Sequence, residues 1–183
     1  AGGRDLLAFR PEPMRGRQVL CCTHGKHDKC CAKWGYAAYK AIAAEAPKHG
    51  DFDVWEATHL GGCRLASSTL FFPETGHAPR AYGRAFPADA PGLLAAEAVD
   101  RPYPARFKGS SALSAAEQVA EVTALRAFEA EGLVPVPLNL ECLFEGEKVR
   151  RFAVQMAGAK ASIACERRPL HRYGNCKNME NDT

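Results

Sequence analysis

The sequence predicts a mixed α/β (α+β) protein with one α/β unit, over residues 1–104, and an α+β extension of unknown role, over residues 105–183. The first indication is that runs typical of strands, helices and turns follow one another up to residue 100, in the order strand, helix, strand, strand, strand, helix. The second is the linker-like sequence Pro102-Tyr103-Pro104. The third is a long helical pattern beyond it, followed by a hairpin pattern.

Two predicted strands flank the first predicted helix. Residues 17–22 end in the apolar run Val19-Leu20-Cys21-Cys22, and residues 52–57 alternate between apolar and polar, so both segments predict strands. Between them, apolar residues recur at helical spacing from residue 30 or 31 to about residue 46, where Pro47 ends the pattern. Each of these strands ends at a loop that carries chemically reactive side chains.

A hairpin and a second helix complete the predicted first unit. Residues 70–72 and 81–85 have strand character and are separated by the turn sequence Pro73-Glu74-Thr75-Gly76. Leucines and alanines then recur at helical spacing over residues 87–99.

The extension begins with a helix start signal. Ser111 or Ser114 precedes a long helical face, and Glu117 lies three residues after Ser114, as in a capping box. Three strand patterns follow, at residues 138–144, 149–156 and 161–165.

The composition is that of an ordinary globular protein, because 46% of the 183 residues are hydrophobic and 25% are charged. No apolar run approaches the roughly 18 residues that a membrane span needs, and the N-terminus lacks the pattern of a signal peptide. The net charge is +3, but the basic residues are dispersed among acidic ones instead of forming a basic stripe between aromatics. We therefore expect a cytoplasmic protein with no nucleic-acid partner and no membrane partner.

Eight cysteines in a chain expected in the cytosol argue against a disulfide framework, because that compartment keeps thiols reduced. Such spacings in a cytosolic protein more often indicate metal or redox chemistry. Three cysteines lie late in the chain at wide spacings and are interpreted as structural or incidental: Cys142, Cys165 and Cys176.

The remaining cysteines and one histidine have the pattern of a metal site. Four cysteines fall in one segment as two adjacent pairs, at positions 21 and 22 and at positions 30 and 31, and His59 and Cys63 lie four residues apart across two glycines. Thiolates select zinc or an iron–sulfur cluster, and one imidazole is compatible with either. The residues alone leave open which cysteine of each adjacent pair is the ligand. Rival imidazoles and nearby cations also lie in these loops: His24, His27, Lys26, Lys29 and Arg64.

At these positions the sequence resembles a known family. The runs Val19-Leu20-Cys21-Cys22-Thr23-His24-Gly25 and Thr58-His59-Leu60-Gly61-Gly62, with Asp28 and Cys31 between them, are similar to the signature of the sucrase/ferredoxin-like proteins, a branch of the thioredoxin-like [2Fe–2S] ferredoxins. The segment from Cys63 to Tyr82-Gly83-Arg84 is similar to the second half of a thioredoxin-like ferredoxin. The resemblance covers about residues 17–100.

The resemblance implies a thioredoxin-like ferredoxin fold and a [2Fe–2S] cluster held by Cys22 and Cys31 on one iron and by His59 and Cys63 on the other. This branch usually has histidine at position 63, so the site would combine three thiolates with one imidazole. A histidine ligand offers a nitrogen that can take up a proton, which would couple electron transfer to proton transfer. On this interpretation the chain is a one-electron carrier and not an enzyme. Its partner would be a redox protein that the sequence does not name, and its oligomeric state is open, with a homodimer as one option.

Three other functions compete with an electron carrier. A structural zinc module accepts three cysteines and one histidine, although zinc knuckles favour a closer pair of cysteines than is found here. An iron–sulfur protein that senses or transfers its cluster would use the same ligands. A thiol oxidoreductase would need Cys-x-x-Cys at a helix start, whereas this chain has adjacent Cys30 and Cys31.

Overall fold

The computed structural model describes residues 10, 14–26, 29–61, 65–74 and 76–169. Its first sheet has five strands in the order β2-β1-β3-β4-β5. These strands are β1 (Arg17–Cys22), β2 (Phe52–Ala57), β3 (Ser68–Phe72), β4 (Arg80–Gly83) and β5 (Phe107–Ser110). The β1–β2 pair is parallel, and the other three pairs are antiparallel.

Strand β1 lies inside this sheet, because β2 and β3 pair with its two sides. Val19 is opposite Val54 on one side and Phe71 on the other. An apolar run of this kind is what a strand buried between neighbours requires. Val19 and Phe71 are almost completely buried.

The crossover from β1 to β2 is helical, as parallel strands require. It consists of a π-helical turn (Cys31–Gly35), α1 (Tyr36–Glu45) and a short 3-10 turn (Ala46–Lys48) that contains Pro47. Ala38 and Ile42 form the buried side of α1. Helix α2 (Ala90–Ala98) follows β4 and packs against α1.

The C-terminal part consists of one helix and a second sheet. Helix α3 (Ala115–Ala130) begins at the predicted capping box, in which the Ser114 hydroxyl accepts from the Glu117 backbone N–H and the Glu117 carboxylate accepts from the Ser114 backbone N–H. The antiparallel sheet has the order β6-β7-β8. Its strands are β6 (Asn139–Glu145), β7 (Val149–Met156) and β8 (Ala159–Glu166).

Helix α3 joins the two sheets, because it packs against β5 as well as against β7 and β8. One hydrophobic core therefore runs from Val19 and Leu94 in the first part to Leu125 and Phe152 in the second. None of the described helices is both long enough and apolar enough to cross a membrane.

The mixed α/β fold predicted from the sequence is confirmed, with each predicted strand and helix close to its expected place. Strand β5 was not predicted. It follows residues 102–104, where Pro102 and Pro104 are buried and the Tyr103 backbone N–H donates to the Tyr82 hydroxyl at 3.2 Å. The sequence that resembles a linker is thus packed, and the chain beyond it returns to the first sheet.

Candidate metal centre

Strands β1 and β2 bring two of the predicted ligand loops to one edge of the sheet. The strands are parallel and end together, with Cys22 opposite Ala57. The Thr23 backbone N–H then donates to the Ala57 carbonyl at 3.2 Å, so the two chains stay adjacent beyond the strands. Cys22 ends β1, and His59 lies two residues after the end of β2.

Cys21 and Cys22 face opposite sides of the sheet, because side chains alternate along a strand. The Cys21 side chain is fully buried in the main hydrophobic core together with Val19 and Tyr82. Burial raises the pKa of the Cys21 thiol to about 12, with smaller contributions from neighbouring Cys22 and Glu56. Such a thiol stays protonated at neutral pH and is a poor metal ligand.

Cys22 lies on the other side of the sheet and packs against Cys31. Both thiols are only 1% exposed, and they form a small cluster separate from the main core. Leu60 and Ala66, from the loops that follow β2, pack against this pair. The structure therefore brings Cys22 and Cys31 together and shields them from water. Cys30, which precedes Cys31, is disulfide-bonded, so the expectation that the cysteines of this chain stay reduced is wrong for this residue.

Gly35 allows the turn that carries Cys31 to approach β1 closely. The glycine is buried, and a Cβ atom built on it would lie 2.0 Å from the Cys22 carbonyl oxygen. No other residue type leaves that space empty. Cys31 begins the turn and Gly35 ends it, so this contact helps to position Cys31 beside Cys22.

The second predicted pair, His59 and Cys63, is only partly within the described residues. His59 is exposed at the surface, and Gly61 takes a positive φ of 85°, which suits glycine. Cys63 and Arg64 lie outside the described residues, as does His27. Within the part of the chain that the structure describes, no three His, Cys, Asp or Glu side chains are grouped so that they could hold a metal ion.

The chain on the far side of this loop is held by hydrogen bonds. The Arg84 backbone N–H donates to the Leu65 carbonyl at 2.9 Å, and the Ser67 hydroxyl donates to the Ala85 carbonyl. Ser68 donates to the Gly61 carbonyl at 3.4 Å. These bonds fix the residues next to Ala66, which covers the Cys22–Cys31 pair.

Part of the chain matches a known protein family. The model of the Suc_Fer-like family, described as sucrase/ferredoxin-like, matches residues 6–109, which is more than half of the 183-residue chain. The chain belongs to the sucrase/ferredoxin-like family. The family predicted from the motifs is thereby confirmed, and the match covers both loops that carry the predicted ligands. No curated protein matches the chain.

This sucrase/ferredoxin-like chain also contains a buried ionic network that the motifs did not reveal. Arg80 and Glu97 are 3% and 1% exposed, and their side chains form a bidentate pair with a shortest contact of 2.6 Å. Arg80 also contacts Asp100 at 2.7 Å, and the Tyr82 hydroxyl donates to Glu97. Tyr82 lies in the predicted strand 81–85 and Glu97 in the predicted helix 87–99, but Arg80 precedes that strand and no sequence signal marked the network.

The charges in this network support one another. Burial alone would lower the pKa of the Arg80 guanidinium, but its hydrogen bonds and charge interactions with Glu97 and Asp100 raise it instead. Burial raises the pKa of Tyr82, and the neighbouring Glu97 carboxylate raises it further. The network lies between β4 and α2, away from the Cys22–Cys31 pair, and its evident role is to join these two elements.

Two of the three late cysteines lie within the described residues. Cys142 is exposed on β6. Cys165 is half-buried on β8, where its thiol contacts the Ala116 carbonyl at 3.7 Å, and burial raises its pKa. Cys176 lies outside the described residues.

Proposed function

We propose that this member of the family is a one-electron carrier that binds a [2Fe–2S] cluster through Cys22, Cys31, His59 and Cys63. The observation that carries the proposal is the pair of buried thiols at Cys22 and Cys31, which pack together and apart from the main core. Most buried cysteines pack singly as small apolar groups. A pair of thiols set apart from the main core, beside the loop that follows β2, is what a thiolate-ligated centre requires.

The donor chemistry fits an iron–sulfur cluster. Thiolates are the usual ligands of such clusters, and histidine replaces cysteine in some [2Fe–2S] centres. When bound, the cluster would accept and release single electrons. Cys63, outside the described residues, completes a set of three cysteines and one histidine.

The two sides of the proposed site differ in their exposure to water. Leu60 and Ala66 cover Cys22 and Cys31, so water is excluded from both thiols. His59, by contrast, is exposed. This arrangement leaves one side of the proposed cluster open to solvent while the thiol side stays protected.

The absorption spectrum and the metal content of the anaerobically purified protein test the proposal directly. We expect a red-brown protein with about two iron and two sulfide ions per chain, and an electron paramagnetic resonance signal after reduction by one electron. A colourless protein that holds one zinc ion and no sulfide, even after reconstitution with iron and sulfide, would show a structural zinc module instead.

Two pairs of cysteine variants test which thiols are involved. Cys22→Ser and Cys31→Ser should lose most of the iron and the visible absorption, because each removes a ligand. Cys21→Ser is the matched control, since it changes the adjacent thiol on the opposite face of β1, and Cys142→Ser is a control at the surface. Bleaching by Cys21→Ser, but not by Cys22→Ser, would contradict this assignment.

A further inference from the structure

The turn that carries Cys31 into the site presents a basic surface on its outer side. We call the exposed residues Lys29, Lys33, Tyr36 and Lys40 the basic face. Their spacings of four, three and four residues place them on one side of a helix, opposite the buried Gly35, Ala38 and Ile42. A single helix, about 10 Å thick, thus separates this surface from the buried side that holds Cys31.

Two of the lysines lie over aromatic rings. The Lys33 ammonium is 4.7 Å from the centroid of the Trp34 ring, and the Lys40 ammonium is 4.9 Å from that of Tyr36. Cation–π contacts of this kind hold a charge in place without neutralising it. The charges of Lys33 and Lys40 are therefore ordered but still available to an anionic group from outside.

Among the described residues near the basic face, Glu45 and Asp89 are both paired with basic groups. From residue 29 to residue 44 the sequence contains no Asp or Glu. Glu45, the next acidic residue, contacts Lys48 at 2.7 Å and His49 at 3.1 Å. Asp89 contacts Arg106 at 2.9 Å. Residues 29–44 therefore carry only positive charges, although the net charge of the chain is only +3.

Exposed aromatic rings extend this surface toward the candidate metal centre. Trp34, Tyr36 and Phe86 are 42%, 45% and 38% exposed. The rings of Phe86 and Trp34 meet edge to face, with their centroids 6.1 Å apart. Phe86 follows Ala85, whose carbonyl accepts the Ser67 hydrogen bond next to Ala66. Tryptophan, tyrosine and phenylalanine are enriched at protein interfaces, where tryptophan and tyrosine dominate the binding energy.

We propose that the basic face, with Trp34 and Phe86 at its border, is the docking surface for an acidic patch on a redox partner protein. The redox role of this surface rests on the function proposed above. Charge complementarity of this kind accelerates encounter and orients the two proteins, and salt weakens it.

An anionic membrane is the other surface that lysines and aromatics recognise, but this helix is poorly suited to it. Interfacial helices bury an apolar face in the lipid. Here the apolar face of α1, which includes Ala38 and Ile42, is already in the protein interior. Only rings lying beside or beneath lysines remain exposed. A partner protein therefore fits better than a lipid surface.

Adsorption to a carboxylate-terminated monolayer on gold tests the binding step without a known partner. Lys33→Gln combined with Lys40→Gln should lower the association rate about tenfold at low salt, since steering by charge contributes one to three orders of magnitude. The matched control combines Lys148→Gln with Lys160→Gln, which removes the same charge from exposed positions near the second sheet. The control should change the rate less than about twofold, and the difference should vanish at high salt.

Trp34→Ala adds a test of the aromatic border, because it keeps every charge and should still weaken retention on the monolayer. Equal losses in the two double variants would show that net charge alone drives adsorption, and would overturn the proposal. Binding to phosphatidylserine vesicles that depends on Lys33 and Lys40, without such dependence on the monolayer, would overturn it in favour of a membrane.

Voltammetry on the same monolayer separates the two proposals. With a cluster present, the heterogeneous electron-transfer rate should fall in the Lys33/Lys40 variant and not in its control. Adsorption with the expected pattern, but no faradaic current from any variant, would refute the electron-carrier function while supporting recognition of an acidic surface. A current that is equal in both double variants would refute the docking orientation.

Discussion

Replacing Gly35 with alanine should damage both the stability of the fold and the candidate metal centre. The backbone of Gly35 is ordinary helix, with φ of −67° and ψ of −43°, so alanine meets no conformational penalty there. The difficulty is space. The added Cβ would lie 2.0 Å from the Cys22 carbonyl oxygen and 3.1 Å from the carbonyl carbon, whereas a relaxed carbon–oxygen contact needs about 3.3 Å.

Relief of this clash requires a movement of more than about 1 Å, and the contacted atom cannot move independently. It belongs to the backbone of β1, which is paired with β2 and β3. We expect a cost of about 3 kcal/mol, the upper end of the usual range for overpacking, reduced by roughly 1 kcal/mol because alanine favours helix over glycine. The net loss is then about 2 kcal/mol.

Urea unfolding of the metal-free protein, followed by far-ultraviolet circular dichroism, measures this loss. The control is Gly92→Ala in α2, where the new Cβ meets only the Tyr103 ring, at 3.2 Å. There the gain in helix propensity offsets a contact with a side chain that can shift, so we expect a change of less than about 1 kcal/mol. In parallel, Gly35→Ala should incorporate less iron, because the turn moves Cys31 away from Cys22. A Gly35→Ala protein within about 0.5 kcal/mol of wild type, at unchanged iron content, would refute the reasoning.

Three further predictions concern buried groups. Burial raises the pKa of the Glu121 carboxyl in the folded protein. The wild type should therefore lose stability relative to Glu121→Gln as the pH rises from 4 to 7. Identical pH dependence of the two proteins in urea unfolding would contradict this. Iodoacetamide at pH 8 should label exposed Cys142 but not Cys21, whose pKa is about 12, until the protein unfolds, and peptide mass spectrometry reads out both sites. Glu97→Ala should cost about 3–5 kcal/mol because it leaves the buried Arg80 charge poorly compensated. Combining it with Arg80→Met should restore much of that loss, and a strictly additive double variant would argue against a coupled pair.

The raised pKa of Glu121 explains why stability should fall as the pH rises. A carboxyl whose pKa is higher in the folded state keeps its proton to a higher pH than in the unfolded chain. Raising the pH through that folded-state pKa therefore removes stability, and glutamine, which does not titrate, shows no such loss.

Local sequence patterns accounted for most of the secondary structure. The alternation in residues 52–57, the apolar run that ends at Cys22 and the capping box at Ser114 each act within a few residues. Strand β5 escaped prediction for the opposite reason. Its four residues, Phe107–Ser110, have little pattern of their own, and they become a strand only because β4 pairs with them.

The buried pair of Arg80 and Glu97 also depends on tertiary contacts that no local pattern reveals. A charged residue in or next to a strand or helix usually faces water. Only the approach of α2 to β4 creates the buried environment in which these two side chains satisfy each other.

Cys21 and Cys22 illustrate what the sequence determines and what only the tertiary structure decides. By itself, the sequence determined that Cys21 and Cys22 point to opposite faces, because side chains alternate in any strand. It did not determine which face is the core, because that depends on what packs against each side of the sheet. Tertiary structure decided this by placing Tyr82 in the core with Cys21 and the Cys31 turn against Cys22. Burial next to apolar side chains keeps the Cys21 thiol protonated, whereas Cys22 packs against a second thiol, that of Cys31.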